Sequence, residues 1–587
     1  MERDLSQSRI LCKAGLLAGL DRERGGVTAL RRPPVAGAVS KQRRYPSGGT
    51  FVKVRGDMAD RDKAFFGHPA GLKTLFFTEM WERFSYYGMR AFLILYLAAP
   101  ESLGGKGMFE LDKLGEQVAN PAASAIVGMF GASVYLLGLP GGWIADRFLG
   151  QRKAVMLGGL GIAIGNTLLA IPGLGDAFYI GLIFIAFGTG FLKPNISSLV
   201  GQLYGEHDVR RDSGYTIYYM GINIGATLAP FACGYLATDT DFRAFLTEKG
   251  IDPNLCWNFA FGAAAIGMVG GLVQFVVGQK VLGEAGKHPT IPTDPVIANR
   301  DRNVLKGVVA ALVGLGVLIA VAQPSGDVIS NTMGIGLIIG SVVLFFGLYR
   351  SGRDAQEKRQ ILAMIPLYIG AIGFFGIFEQ APTTLNIFAD KYTSRELLGM
   401  DIPAPYYQSV NAIFIVGLAP VIAYLWVRLA RAKKEPSSVN KFAIGMLLLA
   451  AAFVVMLPAS GATSQSPVSG GFLIGLYFFY TLAELCISPV GLSSMSKLAP
   501  KRLGGMVMGI WFLGTAIGIY LAGRATTISS GRSFAFLFNV LMIASVVMAL
   551  GLFVIAPRIR RMMAKGGPAV PVDPPVELPK ATAVEKD

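Results

Sequence analysis

Apolar residues in this chain come in runs of about twenty, separated by short polar stretches. A helix rises about 1.5 Å per residue, so about twenty residues cross the roughly 30 Å hydrocarbon core of a bilayer. Membrane strands would need alternating segments of about ten residues, and runs such as Gly307 to Ala322 or Ser330 to Tyr349 show no alternation. The pattern therefore predicts an all-α membrane protein with about fourteen transmembrane helices, over 72–98, 122–145, 153–173, 177–202, 213–237, 256–279, 303–322, 330–349, 360–388, 405–428, 441–458, 471–498, 505–523 and 533–556.

The loops between these runs alternate in charge. Basic clusters occupy every second one: Arg147, Arg152 and Lys153; Arg210 and Arg211; Arg350, Arg353, Lys358 and Arg359; Arg428, Arg431, Lys433 and Lys434; Lys497, Lys501 and Arg502. Basic loops stay on the cytoplasmic side, so a multi-pass protein of the cell (inner or plasma) membrane with both termini cytoplasmic is expected. Residues 1–57, rich in Arg, Gly and Pro, read as a disordered cytoplasmic extension or as a start assigned upstream of Met58. Residues 557–587, basic and then Pro-rich, read as a disordered cytoplasmic tail.

Composition agrees and narrows the function. Of 587 residues 52% are hydrophobic and 16% charged, with mean hydropathy +0.49, more apolar side chain than a single soluble core buries. The excess of 54 Lys+Arg over 38 Asp+Glu follows from basic cytoplasmic loops and does not call for nucleic acid. Cys12, Cys233, Cys256 and Cys486 are scattered, with no CxxC pair, so no metal site or disulfide framework is expected. No phosphate-binding GxxxxGK[ST] loop, nucleophile–base pair or cofactor loop is visible, so neither an enzyme nor direct use of ATP is expected.

Setting aside the pair at 303–349 leaves an N-terminal bundle of six helices over 72–279 and a C-terminal one over 360–556. Ionisable residues well inside the spans then fall on only four of these twelve helices, the first, fourth, seventh and tenth. The first carries Glu79, Glu82, Arg83 and Arg90, the fourth Lys193, the seventh Glu379 and the tenth Glu484. A spacing of three helices is what nested three-helix repeats produce when the same element of each lines a central polar cavity. The inserted pair, without internal charge, is expected at the periphery.

A charge at the bilayer centre costs about 2.5–3.5 kcal/mol on insertion scales, so these groups must be paired or hydrated. On the first helix Glu79, Glu82, Arg83, Tyr86, Tyr87 and Arg90 fall within an arc of roughly 140°. A self-neutralising network that only helps packing is one reading of this stripe, but Arg90 lies two turns beyond the glutamates and needs a partner elsewhere. Four carboxylates face three cations, leaving one negative charge that a proton would neutralise. Lys193 precedes Pro194 and Asn195, and Glu484 lies one turn before Ser488 and Pro489, so both helices can bend beside the cavity.

The motifs themselves resemble a known family. Glu79-Met-Trp-Glu82-Arg83-Phe84-Ser-Tyr86-Tyr87-Gly88 is similar to the ExxERFxYYG motif of the proton-dependent oligopeptide transporters, a branch of the major facilitator superfamily. Gly188 to Asn195, Tyr218 to Gly225 and Glu484 to Ser493 agree with the family, and Gly142 to Lys153 resembles the superfamily's loop between helices 2 and 3. The likeness extends over roughly 65–556, and the inserted pair resembles that of prokaryotic members. Departures are Tyr218 where Phe is usual and Ala412 where Pro is frequent.

The resemblance implies a symporter that imports di- and tripeptides with protons by alternating access between two six-helix bundles, monomeric and driven by the proton gradient without a cofactor. It implies that Arg90 and Lys193 hold the substrate's carboxylate, that Glu484, Asn223 and Asn411 hold its amino group, and that Tyr86, Tyr87 and Tyr135 add hydrogen bonds. Ser488 and Trp511 join this substrate site, Trp511 facing the side chains. Arg90 with Glu379 would close the outer gate and Lys193 with Glu484 the inner one, while Glu79, Glu82, Arg83 and Glu379 would carry the proton. Taken singly, Tyr135, Trp511 and Asn411 also have a plainer reading as packing or interhelical hydrogen bonds. Rival cargoes are an amino-acid derivative, a peptide-like drug or nitrate, and a non-transporting receptor or scaffold is the alternative from another class.

Overall fold

A computed structural model describes residues 65–564, apart from 112–116, 174, 206–207, 209, 291–293, 323–324, 398, 501–502 and 530–531. The extension expected at 1–57 lies outside the described residues. Among those described, fourteen helices have nineteen residues or more: α1 Ala70–Ala98, α2 Pro121–Ile144, α3 Gln151–Ala170, α4 Ala177–Gln202, α5 Arg211–Thr238, α6 Cys256–Gly278, α7 Pro295–Ala322, α8 Gly326–Arg350, α9 Ala355–Phe378, α10 Tyr407–Arg431, α11 Ser438–Met456, α12 Gly471–Leu498, α13 Gly504–Ser529 and α14 Phe534–Ala564. Twelve are long and apolar enough to cross a membrane. The first falls short because every 18-residue window of α1 holds at least three of Lys73, Glu79, Glu82, Arg83 and Arg90.

Local chemistry sets many of the ends. Asn120 caps α2, its side chain accepting from the Ala123 N–H at 2.9 Å ahead of Pro121 at the first helical position, and Asp354 caps α9 through the Glu357 N–H at 2.8 Å. Ser325 and Ser437 do the same for α8 and α11. Between α2 and α3 a π-helical turn, Ala145–Leu149, ends on Gly150 at φ 81°, where a β-carbon would also meet the Lys287 carbonyl at 3.0 Å.

The N-terminal half packs α1 against α5 and α6, and α4 against α2 and α3. In the C-terminal half α11 packs against α12 and α14, and α9 against α13 and α14. The halves meet along α2 with α13 and along α5 with α10. Gly128 and Gly523 let α2 and α13 nearly touch, since a β-carbon on either would lie 2.7 Å from the other's Cα. Of the inserted pair, α8 packs on α13, with its Tyr520 hydroxyl donating to Ser330 O at 3.0 Å, while α7 is held at its start by a buried Asp301 facing Arg147 at 3.5 Å.

Three expectations need correction. The run 360–388 is not one helix: α9 stops at Phe378, a turn covers 379–383, and a short helix Thr384–Lys391 follows. Pro382 supplies no N–H and Thr383 sits at φ −115°, ψ −97°, outside helical geometry. Residues 557–564 belong to α14, which continues through Pro557 and ends among Arg558, Arg560 and Arg561, cations that suit a helix C-terminus; the rest of the expected tail lies outside the described residues. Finally, α7 begins eight residues earlier than the apolar run, at Pro295, because its first turns are polar.

Candidate functional site

The interior charges lie on α1, α4, the end of α9 and α12, as the sequence spacing places them. The structure decides how they pair. On α1 Arg83 Nε lies 3.0 Å from Glu79 Oε1 and 2.5 Å from Glu82 Oε2, all three side chains 4% exposed or less. Helical spacing makes this triad, since i, i+3 and i+4 share a face. It is only half satisfied: Glu79 Oε2, both oxygens of Glu82 and Arg83 Nη2 are buried without a hydrogen-bond partner among the described residues. Two carboxylates around one guanidinium leave a negative charge on α1 itself, and Lys193 of α4 is a cation within electrostatic reach of it.

Arg90, two turns on, reaches across to the other half and pairs with Glu379 at side-chain exposures of 12% and 8%. Glu379 is well held. The neighbouring Gln380, fully buried, donates to Gly376 O at 3.1 Å and Ala522 O at 3.3 Å and accepts from Thr384 Oγ1 at 2.6 Å, while the Tyr480 hydroxyl donates to Ile377 O at 3.0 Å. The helix break at Pro382 thus turns Glu379 into an end-of-helix carboxylate facing α1.

Lys193 and Glu484 are the two interior charges left over. Neither has an ion-pair partner among the described residues, so the expected Lys193–Glu484 bridge is not made in this structure. Lys193 Nζ lies 4.0 Å from the centre of the Tyr135 ring and within electrostatic reach of Glu82. Helix α4 continues unbroken past Pro194, and Asn195 ties it to α2 by donating to Gly141 O at 3.4 Å. On α12 Glu484 accepts from Asn411 Nδ2 at 3.2 Å, and the same amide donates to Thr481 Oγ1 at 3.0 Å. Tyr219 of α5 lies within electrostatic reach of Glu484, so the two halves face each other here.

The remaining expected residues surround these. The Tyr86 ring stacks on Phe130, meets Tyr87 edge-on and has the guanidinium carbons of Arg83 and Arg90 at 5.5 and 5.9 Å. Asn223 is buried and donates along its own helix to Tyr219 O at 2.9 Å, with no bond to Glu484. Trp511 is 4% exposed, its ring against Phe442 and in the space beside Gly491, where a β-carbon would lie 2.1 Å from the ring, so here it packs. Ser488 is half-buried one turn after Glu484.

Sequence reasoning missed a set of donors. Asn386 on the short helix and Gln408 on α10 both donate to Ala91 O, at 2.7 and 2.9 Å, and Ser409 donates to Thr227 O at 2.8 Å. Their acceptors are main-chain carbonyls, which no side-chain motif announces. Among the described residues no group of three His, Cys, Asp or Glu could hold a metal, and Cys233, Cys256 and Cys486 are buried and free.

Comparison with known proteins agrees with this layout. The family model described as POT family matches residues 152–536. The peptide transporter YePEPT of Yersinia enterocolitica is 39% identical over 78% of this chain and 88% of its own, and a di-/tripeptide transporter of Lactococcus lactis subsp. cremoris is 34% identical over 86% of this chain and 98% of its own. A crystal structure of a variant of the peptide transporter POT in complex with alafosfalin superposes with a TM-score of 0.75 at 39% identity, over 86% of this chain and 97% of that one. Fourteen long helices in two bundles with an inserted pair and a family match over most of the chain make this protein a member of the POT family, with the major facilitator fold.

Proposed function

We propose that this chain is a proton-coupled symporter that imports di- and tripeptides by alternating access across the cell membrane, as a monomer, with both termini cytoplasmic and with no cofactor beyond the proton gradient. The observation that carries the reading is the pair of leftover charges: Lys193 on the N-terminal half and Glu484 on the C-terminal half, each without an ion-pair partner among the described residues. A zwitterion supplies the missing partner to each, its carboxylate toward Lys193 and its ammonium toward Glu484 and Asn411. A simple anion such as nitrate would satisfy only one of them. The peptide-transporter names of the relatives and the alafosfalin complex of a solved relative support the same cargo.

Coupling follows from the other charges. With the end bearing Arg90 and Glu379 taken as outer, the ion pair keeps that end shut, and a proton delivered to Glu379 removes the charge that holds Arg90. The Glu79–Glu82–Arg83 triad, with one negative charge in excess, is a second place for a proton. At 100 mV each proton supplies about 2.3 kcal/mol, enough for roughly fiftyfold accumulation of a neutral solute.

Labelled dialanine and proteoliposomes test this. Under an inward proton gradient the wild type accumulates dialanine, a protonophore abolishes accumulation, and Glu484→Gln, which removes the free carboxylate, lowers uptake about 10- to 100-fold. Failure of the wild type to accumulate any dipeptide ends the peptide reading.

A further inference from the structure

The ion pair between Arg90 and Glu379 is one part of what joins the two halves at their outer end. One residue further along α1, the carbonyl of Ala91 receives two amides from the other half, Asn386 Nδ2 at 2.7 Å and Gln408 Nε2 at 2.9 Å. Beside it Ser409 Oγ donates to Thr227 O of α5 at 2.8 Å. All three donors belong to the C-terminal half and both acceptors are main-chain carbonyls of the N-terminal half. These carbonyls lie in helix interiors, where each already has an acceptor role in its own ladder, so the side-chain donors are additional to what the helices need.

Asn386 is 2% exposed and its Oδ1 has no partner among the described residues. Keeping half of a buried amide unsatisfied is unfavourable, and an apolar side chain of the same size would avoid it if packing were the only task. The residue is brought there by the break at Pro382, which folds the short helix Thr384–Lys391 back toward α1, with Gln380 fastening the turn to α13.

We propose that Asn386 and Gln408 form a neutral latch on the Ala91 carbonyl that holds the outer end closed independently of the proton. The latch and the ion pair differ in chemistry. Amide N–H groups and a peptide carbonyl do not titrate, whereas a proton on Glu379 neutralises its side of the pair. The ionisable groups around this end include Arg90, Tyr86 and Tyr87 on α1, Tyr135 on α2, Glu379 after α9, Tyr407 on α10, Tyr477 and Tyr480 on α12, and, at the rim, Arg243 with Asp390 and Lys391. Protonation therefore unfastens only one of two closures, and the amide bonds set how far the closed end persists once the charge is gone. Asn386 and Gln408 act here as positioning residues: they touch neither the free charges nor the proton carriers. The inference rests on the alternating-access reading above.

The test is a distance measurement that needs no substrate. In a background with the native cysteines replaced, spin labels at Thr247→Cys and Met400→Cys, both exposed on opposite halves, report the outer end, and labels at Lys153→Cys and Lys497→Cys report the inner end. Asn386→Leu and Gln408→Leu remove the donors and leave an apolar side chain with the same number of heavy atoms as Asn and one fewer than Gln. Each is expected to raise the fraction with long outer distances about three- to tenfold, with a matching shortening at the inner end and with an unchanged pH response, because Glu379 is still present. Glu379→Gln, in contrast, abolishes the pH response and leaves the latch. Gln408→Leu, half-buried, keeps the proposal testable should Asn386→Leu fail to fold. Outer distances identical to wild type in Gln408→Leu and in any folded Asn386→Leu variant overturn the latch, whatever the uptake assay says about peptides; a pH response lost in the Leu variants overturns its independence from the proton.

Discussion

The two ends of the seam between the bundles are built on the same plan and found in opposite conditions. At the end taken as outer, Arg90 and Glu379 are joined, three neutral hydrogen bonds cross between the halves, and α2 approaches α13 so closely at Gly128 and Gly523 that a β-carbon does not fit. Further in, Lys193 and Glu484 offer the same opposite charges from opposite halves and are apart, one over Tyr135 and the other held by Asn411. A carrier that had both pairs made would be sealed, and one with neither would leak; one made and one open is the arrangement alternating access requires. The difference also shows that charge alone does not close an end. Where closure is seen, neutral bonds and backbone contact accompany the ion pair.

Breaking the closed end should have the largest effect. Removing one partner of a buried ion pair costs about 3–5 kcal/mol, so Glu379→Gln, which leaves Arg90 unpaired, is expected to lower proton-driven dialanine uptake about 100-fold or more and to lengthen the outer label distances. In the wild type those distances should lengthen as pH falls, because protonating Glu379 releases Arg90; the variant should show no such trend. At the open end Lys193→Gln should raise the KM for dialanine about tenfold or more through loss of a charge-assisted contact, while leaving the outer distances as they are. A change in the outer distances would mean that the two ends are not separable.

Smaller effects sharpen the contrast. Tyr135→Leu removes the ring face under Lys193 and should weaken uptake about three- to tenfold, whereas Tyr135→Phe keeps the face and should change it less than about threefold. Comparing the two rates by initial uptake separates the ring from the hydroxyl. Smallest of all, Asp301→Asn weakens the 3.5 Å contact between the buried Asp301 and Arg147, whose side chain, 35% exposed, keeps the pair screened by solvent. Such a pair contributes about 1 kcal/mol or less, so the melting temperature should fall by no more than about 2 °C with uptake unchanged.

By itself the sequence determined the class, the number of long helices and the four helices that carry interior charge. Each of these depends on local regularities: the length of an apolar run against the thickness of hydrocarbon, the cost of a charge within it, and the period of a helix, which alone brings Glu79, Glu82 and Arg83 together. Tertiary structure decided the partners. Whether Lys193 meets Glu484, that Trp511 packs against Phe442, and that Asn386 and Gln408 reach the Ala91 carbonyl all depend on which halves touch and where. The break after Phe378 belongs with these. An apolar run through Pro382 continues the hydropathy pattern, but the backbone leaves helical geometry at Thr383, next to Pro382, and Gln380 anchors the new turn to α13. A carbonyl that accepts from the opposite half looks like every other carbonyl in a helix until the chain is folded, so this part of the gate had no signature to read.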